Sequence, residues 1–554
     1  MKGYDGYNNT GGVHKTSIHN RWETVAGKKK TLRGLTLTIG LFFDGTGNNK
    51  EHTASRLMTF NECSAAQQGM SQKEAQCCED FIGAIHHERF SNSSYRGYYT
   101  NIHWLNLLYK PVQMLSENQV TAQVKTYISG IGTTVDKSDS LVGIGLGTSI
   151  LDTFEGVVTK TDEAMQGITH AISEFMAFNL NSDFCIARIQ FDIFGFSRGA
   201  AAARHFANRV MEQDPVIAKA ISEGLRGSFY DGKRSGEVRF LGLFDTVAAI
   251  GGIKNFFDIN DRSNPGVKLE LRPSVAKKVF QITAINEYRY NFSLNSIKGM
   301  WPELALPGSH SDIGGGYNPV GSPLQENEHL FLSCPKFEMV SDDTREVTTR
   351  VYRHAEKERE KLATLPALKY LLAHGRLTTK VRSVGAVNPN RGRSVGIEKQ
   401  VGAAVFLERT AIPHDWAKVS LRVMLDAAKE AGVLFDDTQE QGEKYILPVE
   451  LNAICAKAIA QGRAVRQGKT SDPFTEEEHF LIGKYIHCSA KWNIQSDRNL
   501  WVDPKNGEIF IHRFGPKNDK AFVFPNKPGE NWTRSVWYMD DRQRINDGAV
   551  KMAI

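Results

Sequence analysis

The sequence GFSRG, at positions 195–199, sets a serine between two glycines where the character of the chain changes. The apolar run RIQFDIF before it predicts a buried strand, and AAAARHFANRV after it predicts a helix. A strand that turns directly into a helix strains the backbone of the residue at the turn, and the flanking glycines remove Cβ atoms that would clash there. The junction therefore predicts that the Ser197 hydroxyl is held out on a rigid turn.

Strand-like and helical stretches alternate around this junction. Apolar residues recur at helical spacing over 162–178. Apolar strand-like runs, some ending in glycine-rich loops, lie at 35–50, 122–134, 184–194, 237–247 and 277–285. This alternation is typical of an α/β fold, a mostly parallel sheet with helices on both faces. In such sheets ligands bind beyond the carboxyl ends of the strands, so we expect a core over 35–320 with its functional residues just after strands.

The rest of the chain divides into three parts that differ in composition and predicted secondary structure. Residues 1–34 are polar and predicted to be a loose leader, whereas 321–484 predict an additional, mainly helical module that docks on a membrane or forms a lid. Residues 485–554 are strand-rich and predicted to return to the core. Within the module, 350–399 holds twelve Lys or Arg against four Glu and no Asp, a local charge of +8. This window is either a solvated surface or a surface attracted to anionic lipid headgroups.

The pentapeptide fits G-x-S-x-G, the nucleophile elbow of α/β-hydrolases, in the strand–turn–helix setting that the motif requires. A serine nucleophile needs a base, and the base needs an orienting acid, which follow in the order Ser, Asp or Glu, His in this fold. Asp245 ends the strand RFLGLFDTV, and His310 lies further on in the glycine-flanked loop LPGSHSDIGGGY. We therefore predict Ser197, Asp245 and His310 as a catalytic triad, with His487 in YIHCS as a rival base.

Backbone amides are expected to stabilise the oxyanion of an acyl-transfer reaction. The helix after the serine brings free N–H groups and positive partial charge beside it, so the Arg198 amide is one predicted donor. The second donor is expected from a loop after another central strand. The loop FDGTGNN is the best candidate, with the amide of Gly45 or Thr46 as donor.

Several classes of protein and cofactor are not indicated. No run reaches the ~20 apolar residues that span a bilayer, and the N-terminus lacks the apolar core of a signal peptide. The nearest apolar run, 140–151, predicts a buried glycine-rich loop or a mobile flap near a lipid-binding cleft. The seven cysteines show no CxxC pair or Cys/His ligand spacing, so we expect no structural zinc site. Serine hydrolysis needs no metal, and no cofactor is expected. A net charge of +6 on 554 residues does not indicate a nucleic-acid partner.

Taken in order, LFFDGTGNN, GFSRGAAAAR, LGLFDTV and PGSHSDIGGGY span residues 41–317 and resemble one family, the type VI secretion antibacterial lipase effectors of the first class. The resemblance implies a phospholipase of A1 or A2 regiospecificity that acts through an acyl-enzyme, with Ser197 as nucleophile, Asp245 as orienting acid and His310 as base. It also implies synthesis in the producer cytoplasm and delivery on the secretion spike protein into the periplasm of a competitor. A cognate immunity protein would protect the producer.

Two other functions fit some of the same residues. A cytoplasmic esterase, thioesterase or peptidase would keep the serine chemistry but act on a non-lipid substrate. A non-enzymatic protein would use the basic window 350–399 to bind nucleic acid, with G-x-S-x-G a coincidence. Release of lysophospholipid and fatty acid from vesicles distinguishes a phospholipase from a hydrolase of non-lipid substrates. Reactivity of the serine distinguishes a phospholipase from a non-enzymatic nucleic-acid-binding protein.

Overall fold

The computed structural model describes most of the chain, with gaps at both ends and in several loops. The described residues are 21–25, 28–51, 53–54, 57, 97–131, 152–180, 182–228, 230, 232–248, 266–322, 325, 327–385, 398–492, 500–502, 509–511, 526–539 and 550–552. The predicted flap 140–151 therefore lies outside the described residues.

A seven-stranded sheet forms the centre of the fold. The first eight strands of the chain are β1 (Arg21–Val25), β2 (Lys28–Phe43), β3 (Thr121–Ile128), β4 (Phe184–Phe196), β5 (Glu237–Phe244), β6 (Lys278–Ala284), β7 (Leu294–Asn295) and β8 (Glu303–Leu306). In the sheet β2, β4, β5, β6 and β8 lie side by side in that order, all parallel, and β3 pairs parallel with β2. The strands β4, β5, β6 and β8 and the second half of β2 are mainly apolar because both faces of the sheet are covered, whereas β3 (TAQVKTYI) carries more polar residues.

Helices cover both faces, as the alternation of strands and helices predicts. They are α1 (Asn101–Leu108), α2 (Asp152–Phe178), α3 (Arg198–Met211), α4 (Pro215–Leu225), α5 (His310–Gly314), α6 (Arg350–Ala363), α7 (Lys369–Leu372), α8 (Trp416–Glu430), α9 (Asp437–Glu440), α10 (Asn452–Arg466) and α11 (Glu476–Gly483). One face of the sheet packs on α2, α3 and α4, and the other packs on α1, α8 and α10. None of the described helices is long and apolar enough to cross a membrane.

The β-structure begins earlier than the predicted boundary at residue 35. Strand β1 pairs antiparallel with the first five residues of β2, Lys28 to Leu32. A backbone ladder of this kind forms between polar residues as readily as between apolar ones. The polar composition of 1–34 therefore gave no sign of it.

The region 321–484 contains the predicted helices and, in addition, an antiparallel sheet that the sequence analysis missed. Its four strands are β9 (Glu328–Phe331), β10 (Lys336–Ser341), β11 (Arg376–Gly385) and β12 (Glu398–Arg409). On β11 the exposed Arg376, Lys380 and Arg382 alternate with half-buried Leu377 and Val381. This period of two marks a strand with one solvated face, and the many charged residues obscured it.

The basic window 350–399 is largely neutralised by neighbouring carboxylates. Of the ten cationic side chains that the structure describes in this window, seven form ion pairs, and most of their partners lie outside it. The pairs are Arg350–Glu338, Arg359–Glu356, Lys361–Glu358, Lys369–Glu476, Arg376–Glu408, Lys380–Glu408 and Lys399–Glu346. Of the two interpretations offered above, this pairing favours a solvated surface.

Short strands β13 (Leu500–Val502), β14 (Ile509–Ile511), β15 (Arg534–Trp537) and β16 (Val550–Met552) follow. Strand β15 pairs parallel with β7, with Val536 opposite Leu294. This pairing brings Arg534, the first residue of β15, to the carboxyl end of the central sheet.

Candidate active site

Ser197 occupies the turn between β4 and α3 with a backbone φ of 58° and ψ of −126°, a conformation that L-residues rarely adopt. A Cβ on Gly195 would lie 2.6 Å from the carbonyl oxygen of Gly199. A Cβ on Gly199 would lie 2.3 Å from the carbonyl oxygen of Asp44. Only glycine fits at both positions, and the strained turn expected from GFSRG is present.

Asp245 follows β5, the strand next to β4, and is fully buried. Its amide donates to the Ile282 carbonyl at 2.8 Å, and its Oδ1 accepts from the Ala284 amide at 3.0 Å. The Ser197 amide donates to the carbonyl of Phe244, the residue before the aspartate, at 3.1 Å. The serine and the aspartate therefore lie at the ends of adjacent parallel strands.

His310 begins α5, just after β8, and its Nδ1 lies 2.5 Å from Oδ2 of Asp245. Its ring centroid lies 4.5 Å from that of Phe196, the residue before Ser197, and 5.1 Å from that of Phe292. Its Nε2 is buried and has no hydrogen-bond partner among the described residues. The Ser197 hydroxyl is accordingly not hydrogen-bonded to the imidazole in this conformation.

Burial and charge set the protonation of this pair. Burial lowers the pKa of His310, and the attraction of Asp245 does not overcome it, so this pKa lies below its ordinary value of 6.5. Burial alone would raise the pKa of Asp245, but Arg534 and His310 outweigh it and hold this pKa well below its usual range. At neutral pH the imidazole is therefore neutral, with Nδ1–H donating to a carboxylate and a basic lone pair on Nε2.

Arg534 binds the same carboxylate, and sequence reasoning missed it. Its Nη1 donates to Oδ1 of Asp245 and its Nη2 donates to Oδ2, both at 2.8 Å. Its Nε donates to the Phe292 carbonyl at 2.7 Å, and its side chain is 1% exposed. The only local signal is a lone arginine in the short run RSVW, which indicates no partner.

A second carboxylate holds the backbone of the histidine. Glu287 accepts the His310 amide at 3.2 Å through Oε2 and pairs with the guanidinium of Arg289 at 2.7 Å. Burial raises the pKa of Glu287, but Arg289 outweighs that effect and lowers the pKa to about 2. The His310 side chain and backbone are thus each held by a carboxylate that has its own arginine.

The loop FDGTGNN lies beside the elbow, because Gly199 packs against the carbonyls of Phe43 and Asp44. The amide of Gly45 donates to Oδ1 of Asp44 at 2.7 Å, so the structure does not support Gly45 as a free oxyanion donor. The amide of Thr46 donates to no acceptor among the residues that the structure describes. The Asp44 side chain, which the sequence analysis left out, therefore decides which of the two amides is free.

His487, the predicted rival base, pairs with a different carboxylate. Its Nδ1 lies 2.7 Å from Oδ1 of Asp312, and its amide donates to Oδ2 of the same residue at 2.8 Å. Its ring stacks on Tyr317 with centroids 3.7 Å apart. Asp312 also accepts the Ser309 amide at 2.8 Å in the capping box that begins α5. The structure thus ties His487 to the loop that carries His310, and not to Asp245.

Comparisons with known proteins identify the family of the chain. The family described as "T6SS, Phospholipase effector Tle1-like, catalytic domain" matches residues 229–333, which include Asp245 and His310. A solved structure of the Tle1 effector bound to the VgrG spike from the Type 6 secretion system is 72% identical, with a TM-score of 0.75 over 97% of this chain and 100% of that chain. The chain belongs to the Tle1-like phospholipase effectors.

This membership confirms the resemblance drawn from the four motifs and the α/β-hydrolase-like fold class. It establishes a lipolytic effector of the type VI secretion system. An uncharacterized protein from Pseudomonas aeruginosa is 16% identical with a TM-score of 0.31, over 82% of this chain and 53% of that chain, which is too slight a likeness to carry an argument. No curated protein matches the chain significantly.

Proposed function

We propose that this Tle1-like effector is a serine phospholipase of A1 or A2 type, with Ser197 as nucleophile, His310 as base and Asp245 as orienting acid. The observation that carries the proposal is the His310–Asp245 pair, 2.5 Å apart, with a free Nε2 at the edge where the strained serine turn lies. A neutral, buried imidazole beside an ionised aspartate is the state that a general base requires.

The reaction takes place in two acyl transfers. His310 Nε2 takes the proton of the Ser197 hydroxyl as Oγ bonds to the acyl carbonyl carbon, and returns it to the departing lysophospholipid oxygen. A water molecule, deprotonated by the same nitrogen, then attacks the acyl-enzyme and releases the fatty acid. The hydrogen bond between the Ser197 hydroxyl and Nε2 forms before the first step, since such contacts often tighten only when substrate binds.

Two backbone amides are proposed as oxyanion donors. The Arg198 amide opens α3, where the positive end of the helix favours developing negative charge. The Thr46 amide, rather than that of Gly45, is the donor offered by the neighbouring loop, because Asp44 already occupies the Gly45 amide.

Delivery and partners complete the proposal. The solved Tle1 effector is bound to a VgrG spike, and 72% identity over nearly the whole chain supports a spike protein as the carrier here too. The substrate is membrane phospholipid in the periplasm of the target cell, and a cognate immunity protein protects the producer. No nucleic-acid partner is proposed.

The test compares Ser197→Ala with the unsubstituted protein on phospholipids labelled separately at each acyl position. We expect loss of fatty-acid release by about 10⁴-fold or more, because removing a nucleophile leaves only binding and oxyanion stabilisation. The label released by the unsubstituted protein assigns A1 or A2.

Ser235→Ala is the matched control, since Ser235 is also buried but lies just before β5, at the end of the sheet away from Ser197, where its hydroxyl donates to the Asp214 carbonyl. It should retain activity. Equal product from Ser197→Ala and the unsubstituted protein would refute the assignment.

A further inference from the structure

We infer that Arg534 is a positioning residue of the hydrolase site, which fixes the Asp245 carboxylate and sets how strong a base His310 is. The inference rests on the proposed triad. Nothing in the four motifs of the family resemblance points to this residue, which lies 289 positions beyond Asp245.

The Arg534 guanidinium donates a hydrogen bond to each oxygen of the Asp245 carboxylate. Oδ1 of Asp245 accepts from the Ala284 amide at 3.0 Å and from Arg534 at 2.8 Å. Oδ2 accepts from Arg534 at 2.8 Å and contacts His310 Nδ1 at 2.5 Å. A two-pronged contact of this kind fixes the plane of a carboxylate as well as its position. The oxygen that faces the imidazole therefore cannot rotate away from it.

Arg534 itself is held by the core. Its Nε donates to the Phe292 carbonyl at 2.7 Å, and Nη1 also reaches the Ala284 carbonyl at 3.2 Å. A well-packed apolar side chain often stabilises a fold as much as a buried ion pair does. The need to anchor β15 therefore does not explain why this buried residue is an arginine.

A second buried arginine shows what a purely structural role looks like. Arg204 in α3 is 1% exposed and donates to the carbonyls of Leu269 and Asn295 and to Sδ of Met539. None of the described carboxylates accepts a hydrogen bond from it. It contacts the segment of chain to which Arg534 belongs, since Met539 lies just after β15, and it is therefore the matched control.

The charge of Arg534 acts on His310 through Asp245. The charged groups that face the imidazole are those of Asp245, Glu287, Arg289 and Arg534. Helix α8, which packs on α5, contributes the neutral Trp416 and Ser420, bonded to the Pro307 and Ile313 carbonyls. Without the guanidinium, more of the negative charge of Asp245 is available to stabilise a proton on the pair, so the pair binds that proton at higher pH.

The experiment measures the rate at which a fluorophosphonate labels the serine, as a function of pH, in the full chain. A soluble reagent avoids the kinetics of vesicle binding, and its acid limb reports the base of the free enzyme. For Arg534→Gln we expect the acid midpoint to rise by about one pH unit and the plateau rate to fall. For Arg534→Lys we expect an unchanged midpoint and a slower plateau, because one ammonium group cannot bond both oxygens in the same plane.

Arg204→Gln should leave the midpoint unchanged, whatever it does to the melting temperature. An unmoved midpoint in Arg534→Gln, or an equal shift in Arg204→Gln, would overturn the inference. If Arg534→Gln does not fold, the test rests on Arg534→Lys. A plateau labelling rate of Arg534→Lys equal to that of the unsubstituted protein would then overturn the inference. Labelling that persists in Ser197→Ala would instead refute the proposed triad, so the two failures are distinguishable.

Discussion

Helix α5 contributes one residue to each of two buried His–Asp pairs, His310 to one and Asp312 to the other, and the surroundings of the two pairs differ. Nδ1 lies 2.5 Å from the carboxylate in His310–Asp245 and 2.7 Å in His487–Asp312. In both, Nε2 is buried without a partner among the described residues. Only the first pair lies beside the strained turn at the carboxyl ends of the strands. An imidazole–carboxylate pair is therefore informative about catalysis only where the fold also supplies a nucleophile.

The carboxylates differ as well. Asp245 receives a charged partner, Arg534, and orients an imidazole. Asp312 instead accepts the Ser309 amide and hydroxyl and the His487 amide, at 2.8 to 2.9 Å, and so fixes the start of α5. We therefore propose the first pair for the chemistry and assign the second to holding the loop in place.

The largest expected difference is between His310→Gln and His487→Gln. The first should lower kcat/KM for fatty-acid release by about 10⁴-fold, because the proposed base is lost. The second should lower it by less than about tenfold, since that loop keeps its bonds to Glu287 and Asp312. Release of labelled fatty acid from vesicles measures both, and losses of equal size would remove the distinction between the pairs.

A smaller contrast is expected between Asp245→Asn and Asp312→Asn. The first removes the charge that orients the imidazole, with a loss in kcat of about 10³ to 10⁴-fold, and it also destabilises the fold because the buried Arg534 loses its counter-ion. The second replaces a charged acceptor of two buried amides, so it should lower the free energy of unfolding by about 1–3 kcal/mol with a modest effect on kcat. Denaturant unfolding alongside kinetics separates the two. An Asp312→Asn protein of normal stability and abolished activity would contradict the assignment.

The smallest expected effect is on pH dependence. Because burial lowers the pKa of His310 below 6.5, and a base works when it is deprotonated, activity should persist below that pH. We expect the acid midpoint of the kcat/KM profile below 6.5 in the unsubstituted protein and at the same pH in His487→Gln. A midpoint above 6.5 would contradict the effect of burial on His310, and one that moves in His487→Gln would indicate that the second pair titrates in catalysis.

The features that could be predicted from sequence are those fixed by short-range order. The strained turn at Ser197 follows from a strand, two glycines and a helix within about twenty residues, and Asp245 and His310 each follow a strand of the parallel sheet. Gly45 is the poorer candidate donor because the Asp44 carboxylate accepts the hydrogen bond of the Gly45 amide. The sequence does not show where that carboxylate points. Arg534 could not be found at all, because its contact depends on β15 pairing with β7 across the chain.

Protein synthesis runs from one end of the chain to the other, and this order bears on the Asp245–Arg534 contact. The two residues are 289 positions apart, which takes a ribosome roughly 15–60 s at about 5–20 residues per second. During that interval the nascent chain contains Ser197 and Asp245 but not the guanidinium that pairs with Asp245. The proposed site therefore lacks this ionic contact until the ribosome has made β15.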